Sequence, residues 1–322
     1  MRYLENVLGK DNSFWKYIVV IFVTMIAMSF IGGILTVIAV FLFWFNQGAD
    51  FSAEMFSDVK SLYELGLPEN FVFVLMLVPS VIGMVTLWML VGGMHKRTFS
   101  MTVNGGEKIR WNHIFTGFSF WFLLMIAFFG INYIADPDNF VFRFDGGKFI
   151  SLLVISLLFI PFQATFEEYM FRGYLAQGVA AWTKNRLLTI CIPGLLFGLM
   201  HYSNTEVEAY GFWALMPQYI IFGLFFGLIA VLDDGIELPV GIHIANNLFT
   251  CLFVTNEASS LRTPAIFSQT TINHFSATVG LVIAVFFTLL FFYRKYKWNL
   301  NILNKKIRNE KTSQDINSIE YK

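Results

Sequence analysis

Three short stretches of an otherwise apolar chain carry side chains suited to acid–base chemistry: Glu167 and Glu168 with Arg172, then His201, then His243 with Asn247. Glu168 and Arg172 stand four apart, so on a helix they share a face and can pair. Glu167 is turned roughly 100° away from that face and lacks this partner. A desolvated carboxylate of that kind is suited to take up a proton near neutrality. His201 follows Phe197 by four residues, near the end of an apolar run. His243 and Asn247 are again four apart and present an imidazole and a carboxamide on one face. Each piece alone has a plain structural reading: acids at the headgroups with Arg172 as a surface pair, a hydrogen-bonded packing histidine, an interhelical clamp. Together they match the needs of peptide hydrolysis, which requires a base for water and donors where negative charge develops. Glu plus His can supply the base, and His plus Asn the donors. No serine or cysteine sits in a recognisable nucleophile motif, so direct attack by water is preferred over an acyl-enzyme.

These residues must be positioned by elements that live in lipid. The chain has 322 residues, 56% hydrophobic and only 14% charged, with mean hydropathy +0.61, well away from a soluble composition. Its net charge of zero gives no reason to expect nucleic acid as a partner. Eight stretches lack Asp, Glu, Lys and Arg: 17–49, 70–95, 111–135, 149–166, 187–205, 209–232, 238–256 and 263–293. Each is close to or above the ~20 residues that cross ~30 Å of hydrocarbon. The expected fold is therefore an all-α polytopic membrane protein, about eight transmembrane helices around a polar intramembrane cavity. The first run is too long for a signal-peptide core and is expected to be retained. The chain divides into N-terminal helices (1–147), a core (148–256), a last helix (257–293) and a polar tail (294–322).

Loop charge sets the expected orientation, because Lys and Arg near helix ends stay cytoplasmic. Lys96, Arg97, Lys108, Arg110, Lys184, Arg186 and the tail from Arg294 alternate with loops bearing Asp50, Glu54, Asp58, Glu64, Asp136, Asp138, Glu206 and Glu208. Both termini are thus expected in the cytoplasm of a cell membrane, and the compact build suggests a bacterial source. The acidic turn from Asp233 to Glu237 is a misfit on the inner side. Gly194 with Gly198 and Gly223 with Gly227 have the spacing that lets helix backbones approach in lipid. If residues 167–182 continue the fourth helix, a hairpin brings Glu167 and His201 to similar depth. His243 lies so soon after the acidic turn that a tilted or broken seventh helix, eased by Pro239 and Gly241, is needed to bring it level. Cys191 and Cys251, in apolar runs, read as packing residues. His95, His113 and His274, in loops or at helix edges, read as structural.

The ordered trio EExxxR, FxxxH and HxxxN resembles the CPBP intramembrane proteases, the group that holds the Rce1-type CAAX prenyl endopeptidases and the Abi-type bacteriocin-immunity proteins. The resemblance covers roughly residues 148–256. It implies about eight helices around a conical cavity open to one side of the membrane, and peptide-bond hydrolysis. By motif, Glu167 would be the general base with His201 assisting. His243 and Asn247 would donate to the oxyanion, and Glu168 with Arg172 would hold the helix that presents Glu167. Glu167, His201 and His243 could instead bind Zn2+ with a fourth position for water. The absence of HExxH, and the loss of Glu167 as base that zinc would entail, favour a metal-free glutamate mechanism. The implied partners are membrane lipid and a membrane-associated peptide or protein. Two rivals use the same buried cluster without cutting: an ion-coupled transporter, against which no repeated halves stand, and a non-catalytic binding or immunity protein.

Overall fold

A computed structural model describes residues 2–47, 62–63 and 66–308 of the chain. The expected acidic loop at Asp50, Glu54, Asp58 and Glu64 lies outside the described residues, as does the tail beyond 308. The described helices are α1 (Arg2–Glu5), α2 (Phe14–Gln47), α3 (Glu69–His95), α4 (Phe99–Asn104), α5 (Trp111–Ala135) and α6 (Gly146–Glu168). They continue with α7 (Ala176–Thr183), α8 (Arg186–Met200), α9 (Thr205–Tyr210), α10 (Phe212–Leu232), α11 (Glu237–Leu252) and α12 (His274–Tyr296). A π-helical stretch, Tyr169–Leu175, joins α6 to α7 without a break. Three short strands, β1 (Phe140–Phe142), β2 (Val254–Thr255) and β3 (Phe267–Gln269), make a small sheet in the order β1-β3-β2. In it β3 runs antiparallel to β1 and parallel to β2. The molecule is otherwise helical, as an apolar chain that must satisfy its backbone within each segment has to be.

Among the described residues, seven helices are long and apolar enough to cross a membrane: 14–46, 69–95, 111–135, 146–183, 186–203, 212–232 and 274–296. The eighth expected run, 238–256, forms the 16-residue α11. At 1.5 Å per residue α11 is only about 24 Å long, yet it too connects the two ends of the bundle. It is enclosed by protein on most of its surface, so hydrocarbon thickness does not dictate its length. The run 263–293 is helical only from His274; its first part turns and forms β3. Pro264 and the polar stretch from Gln269 to Thr271 suit a turn and a strand better than a helix.

Hydrogen bonds between loops define two ends. At one, the amides of Arg2 and Tyr3 donate to Asp234 (2.9 and 3.0 Å), Asn6 donates to the Gly105 carbonyl (2.6 Å), and the Ile307 amide reaches the Lys184 carbonyl (3.0 Å). Both described termini therefore share this end with the loops 96–110 and 184–185 and the turn 233–236. At the other end, Arg262 and Arg143 meet Glu69 (3.1 and 3.6 Å), Thr205 donates to the Ala258 carbonyl (2.8 Å), and the sheet closes.

The acidic turn explains itself at the basic end. Arg110 pairs with Glu237 (2.6 Å) and Asp233 (3.1 Å), His113 meets Asp233 (2.8 Å), and Trp298 donates to it (3.3 Å). The acids of the turn neutralise neighbouring cations instead of opposing the sidedness that those cations set.

Close helix approach locates the core of the bundle. A Cβ placed on Gly223 of α10 would collide with the Gly194 carbonyl of α8, as the paired small-residue spacings led us to expect. Gly241 lets α11 cross α5 in the same way, since a Cβ there would run into the Ile114 carbonyl. Neither Gly241 nor Pro239 breaks α11. Pro239 sits in its first turn, where a missing amide costs nothing, and Gly241 serves the α5 crossing.

Candidate active site

The EExxxR stretch sits where α6 passes into the π-helical turn. Extra residues in such a turn re-aim side chains, and turns of this kind are frequent at functional sites. Glu168 and Arg172 form the expected pair, 2.9 Å apart, with both side chains essentially buried. Arg172 also donates to the Gly223 carbonyl (3.1 Å), and its guanidinium lies 4.1 Å over the Phe197 ring and 5.2 Å from that of Phe226. Phe197 therefore works as a cation–π partner that ties α8 to the acidic stretch. Tyr3 of the N-terminal helix donates to the Arg172 carbonyl, so α1 buttresses the same turn.

His243 is buried on α11, with Nδ1 2.8 Å from Glu168 Oε1 and Nε2 3.7 Å from Glu167 Oε2. A carboxylate only accepts, so Nδ1 carries the proton of this bond and Nε2 faces Glu167. Phe226 stacks on the ring at 5.4 Å. The contact between Glu168 and His243 was not expected; the pair has the arrangement in which an acid orients an imidazole in hydrolytic triads.

Glu167, turned away from the Glu168–Arg172 pair, has a different partner. Gln163, one turn earlier on α6, donates to Glu167 Oε1 and accepts from Asn247 Nδ2 at 2.8 Å. Glu167 Oε2 accepts no hydrogen bond within the protein. Sequence reasoning missed Gln163 because a neutral amide in an apolar run attracts no notice, although its i, i+4 spacing from Glu167 was the available signal.

His201 closes α8. Its Nδ1 lies 2.8 Å from the Phe197 carbonyl, which fixes that nitrogen as the donor and leaves Nε2 with its lone pair. Tyr219 stacks on the imidazole at 4.3 Å. Glu167, His201, His243 and Asn247 all line one cavity of about 630 Å3, together with Gln163 and Tyr219. No break in α11 is needed to bring His243 level with Glu167. Of the histidines read as structural, His95 is buried between the Tyr174 hydroxyl and the Asp11 carbonyl, whereas His274 lines the cavity.

At the cavity mouth Glu206 of α9 accepts from Tyr219, from Asn204 (3.1 Å) and from the Ser260 amide (2.9 Å). Burial opposes its charge, but the hydrogen bonds from Ser260 and Tyr219 outweigh that and hold its carboxyl below the ordinary glutamate value.

Among the described residues no three His, Cys, Asp or Glu side chains are grouped so as to hold a metal ion. Glu167, His201 and His243 share the cavity wall but are not grouped in that way.

Fold and site define a class: a polytopic helical membrane protein whose intramembrane cavity is walled by carboxylates, imidazoles and amides. The model of the type II CAAX prenyl endopeptidase Rce1-like family matches residues 148–249, the stretch that carries Gln163, Glu167, Glu168, Arg172, His201, His243 and Asn247. YyaK of Bacillus subtilis (strain 168), an uncharacterised protein, is 32% identical over 281 residues, which span 85% of this chain and 91% of YyaK. The chain belongs to the Rce1-like family. No solved structure gives a significant match.

Proposed function

We propose that the protein is an intramembrane endopeptidase that hydrolyses a peptide bond of a membrane-associated peptide or protein with water activated by Glu167. The observation that carries this reading is the state of that carboxylate. One oxygen is fixed by Gln163, and the other, buried and without a hydrogen bond, stands 3.7 Å from His243 Nε2 in a residue that lines the cavity. A water bound there meets a base oriented by an amide on one side and imidazoles on the other. His201 Nε2, with its lone pair free, can share the proton that the water loses. His243 donates to the developing oxyanion from Nε2 when its ring carries both protons, and the Glu168 carboxylate orients it through Nδ1. Asn247 gives one amide hydrogen to Gln163 and has a second for the same oxyanion. The proton collected from water then passes to the leaving amine, which completes hydrolysis without a covalent intermediate.

The test is a comparison of membrane peptide termini in cells that make the wild type or Glu167→Gln, each grown with and without a chelator. New termini that are present with wild type, lost with Glu167→Gln and indifferent to chelator are expected. Identical termini in both cells, with both proteins present in the membrane, would favour a binding or immunity role.

A further inference from the structure

The cavity belongs to one end of the bundle. Around the chemistry it is walled by α6, α8, α10 and α11, and towards solvent by Ser203, Asn204, Glu206, Asn256, Ser259 and Ser260. The last six come from the segments that join α8 to α10 and α11 to α12. These loops meet one another through Thr205 with Ala258 and Glu206 with Ser260. The end is the one that carries the sheet, opposite both described termini.

The other end holds nearly all the cations. Arg2, Lys96, Lys108, Arg110, Lys184 and Arg186 lie there with Arg294 to Arg308, and the acids of the 233–237 turn are taken up by Arg110 and His113. Among the described residues the cations at the cavity end are few: Lys148 in the first turn of α6, and Arg143 and Arg262, which are held by Glu69, Arg262 also by Glu257. Loops rich in Lys and Arg remain on the inner side of the membrane, so the end with the cavity mouth is the outer one.

Charge inside the cavity points the same way for its ligand. The ionisable groups on its wall are Glu167, His201, Glu206, His243 and His274, with no Lys or Arg among the described lining residues. Arg172 lies behind the wall, buried and held by Glu168, Gly223 and the two phenylalanine rings. A low-dielectric cleft with carboxylates and no Lys or Arg focuses a negative potential when its imidazoles are neutral.

We propose that the cavity is entered from the outer face of the membrane and receives a peptide segment with no net negative charge, such as an exported chain emerging from the bilayer. The proposal rests on the peptidase reading for the nature of its ligand, but its geometry does not require cleavage. An acidic segment would meet Glu206 at the mouth and Glu167 at depth. A neutral or cationic one would satisfy both.

The experiment uses full-length protein with Cys191→Ser, which leaves only the buried Cys251, and adds Ser203→Cys at the mouth or Lys306→Cys at the opposite end. Intact cells are treated with two membrane-impermeant methanethiosulfonates, one bearing a trimethylammonium and one a sulfonate. Ser203→Cys is expected to react in intact cells and Lys306→Cys only after permeabilisation. After correction for each reagent's rate with a free thiol, the cation should react at Ser203→Cys about fivefold faster than the anion, the size of effect a nearby carboxylate exerts at protein-surface dielectric. Glu206→Gln should remove most of that preference. Tyr202→Cys, on an exposed residue beside the mouth, serves if Ser203→Cys does not accumulate. Reaction at position 203 only after permeabilisation, with position 306 reactive in intact cells, overturns the assigned face; equal rates or a faster anion overturn the charge. Neither result touches the peptidase reading. Conversely, inactive wild type with the expected labelling would defeat that reading alone, and repeating the labelling in Glu167→Gln keeps the two separate.

Discussion

Glu167 and Glu168 are adjacent in sequence but have separate duties, because successive helical residues point about 100° apart. Glu168 is consumed by structure: Arg172 and His243 both bind its Oε1. Arg172→Ala leaves that carboxylate buried without its cation, and losing one partner of a buried pair costs about 3–5 kcal/mol. The expected outcome is a large fall in the melting temperature of the detergent-solubilised protein. Glu167→Gln keeps shape and hydrogen-bonding size, so it should melt like wild type while hydrolysis falls by about 10²–10⁴-fold, the usual share of a positioned base. Gln163→Leu should lower kcat with KM little changed, since the amide orients Glu167 and touches no ligand in this account. The motif residues were legible in the sequence because ionisable groups inside apolar runs stand out. Gln163 and Tyr219 were not, because a neutral amide and a phenol raise no such flag and their partners are set by helix rotation and long-range packing.

At the scale of elements, the close crossing of α8 with α10 and that of α5 with α11 hold the wall of the cavity together. Gly223→Val drives a branched side chain into the Gly194 carbonyl, and overpacking of this kind costs about 1–3 kcal/mol or more. Reduced thermal stability is expected, along with loss of activity where α10 shifts away from His201. The strap of residues 256–261 is tied to α9 through Glu206, whose carboxyl is held below its ordinary value by Ser260 and Tyr219 against the opposing effect of burial. A depressed folded value means the tie contributes fully above the unfolded glutamate value of about 4.3 and is lost as pH falls through the depressed one. Protection of the strap amides, corrected for the intrinsic pH dependence of exchange, should therefore be flat from neutral pH down to that range and fall below it, and Glu206→Gln should abolish the change. Spans were readable from apolar length, but the strands were not. The run 263–293 is uniformly free of charge, and only its proline and threonines distinguish the strand half from the helical half.

Among the described residues, the seven long apolar helices together with α11 bring both described termini and the basic loops to one end and the cavity mouth to the other. The eighth pass, α11, is too short to count by length and is recognised only by what encloses it. The acidic turn looked like a sidedness error in sequence because its partners, Arg110 and His113, lie more than a hundred residues away. Arg110→Gln should thus be destabilising although Arg110 is partly exposed, because it leaves the buried Glu237 and Asp233 without their cation. Loss of the folded fraction in size-exclusion chromatography of the solubilised protein would register it.

The central claim is that Glu167 activates water and is not itself acylated. A single-turnover reaction of the reconstituted protein in ¹⁸O-water, with a peptide identified from the termini comparison, tests it most directly. The account predicts that the label enters the new peptide carboxylate in the first turnover, that the Glu167 side chain remains unlabelled, and that Glu167→Gln yields no product. Label in the Glu167 carboxyl after one turnover, or undiminished product from Glu167→Gln, would contradict it.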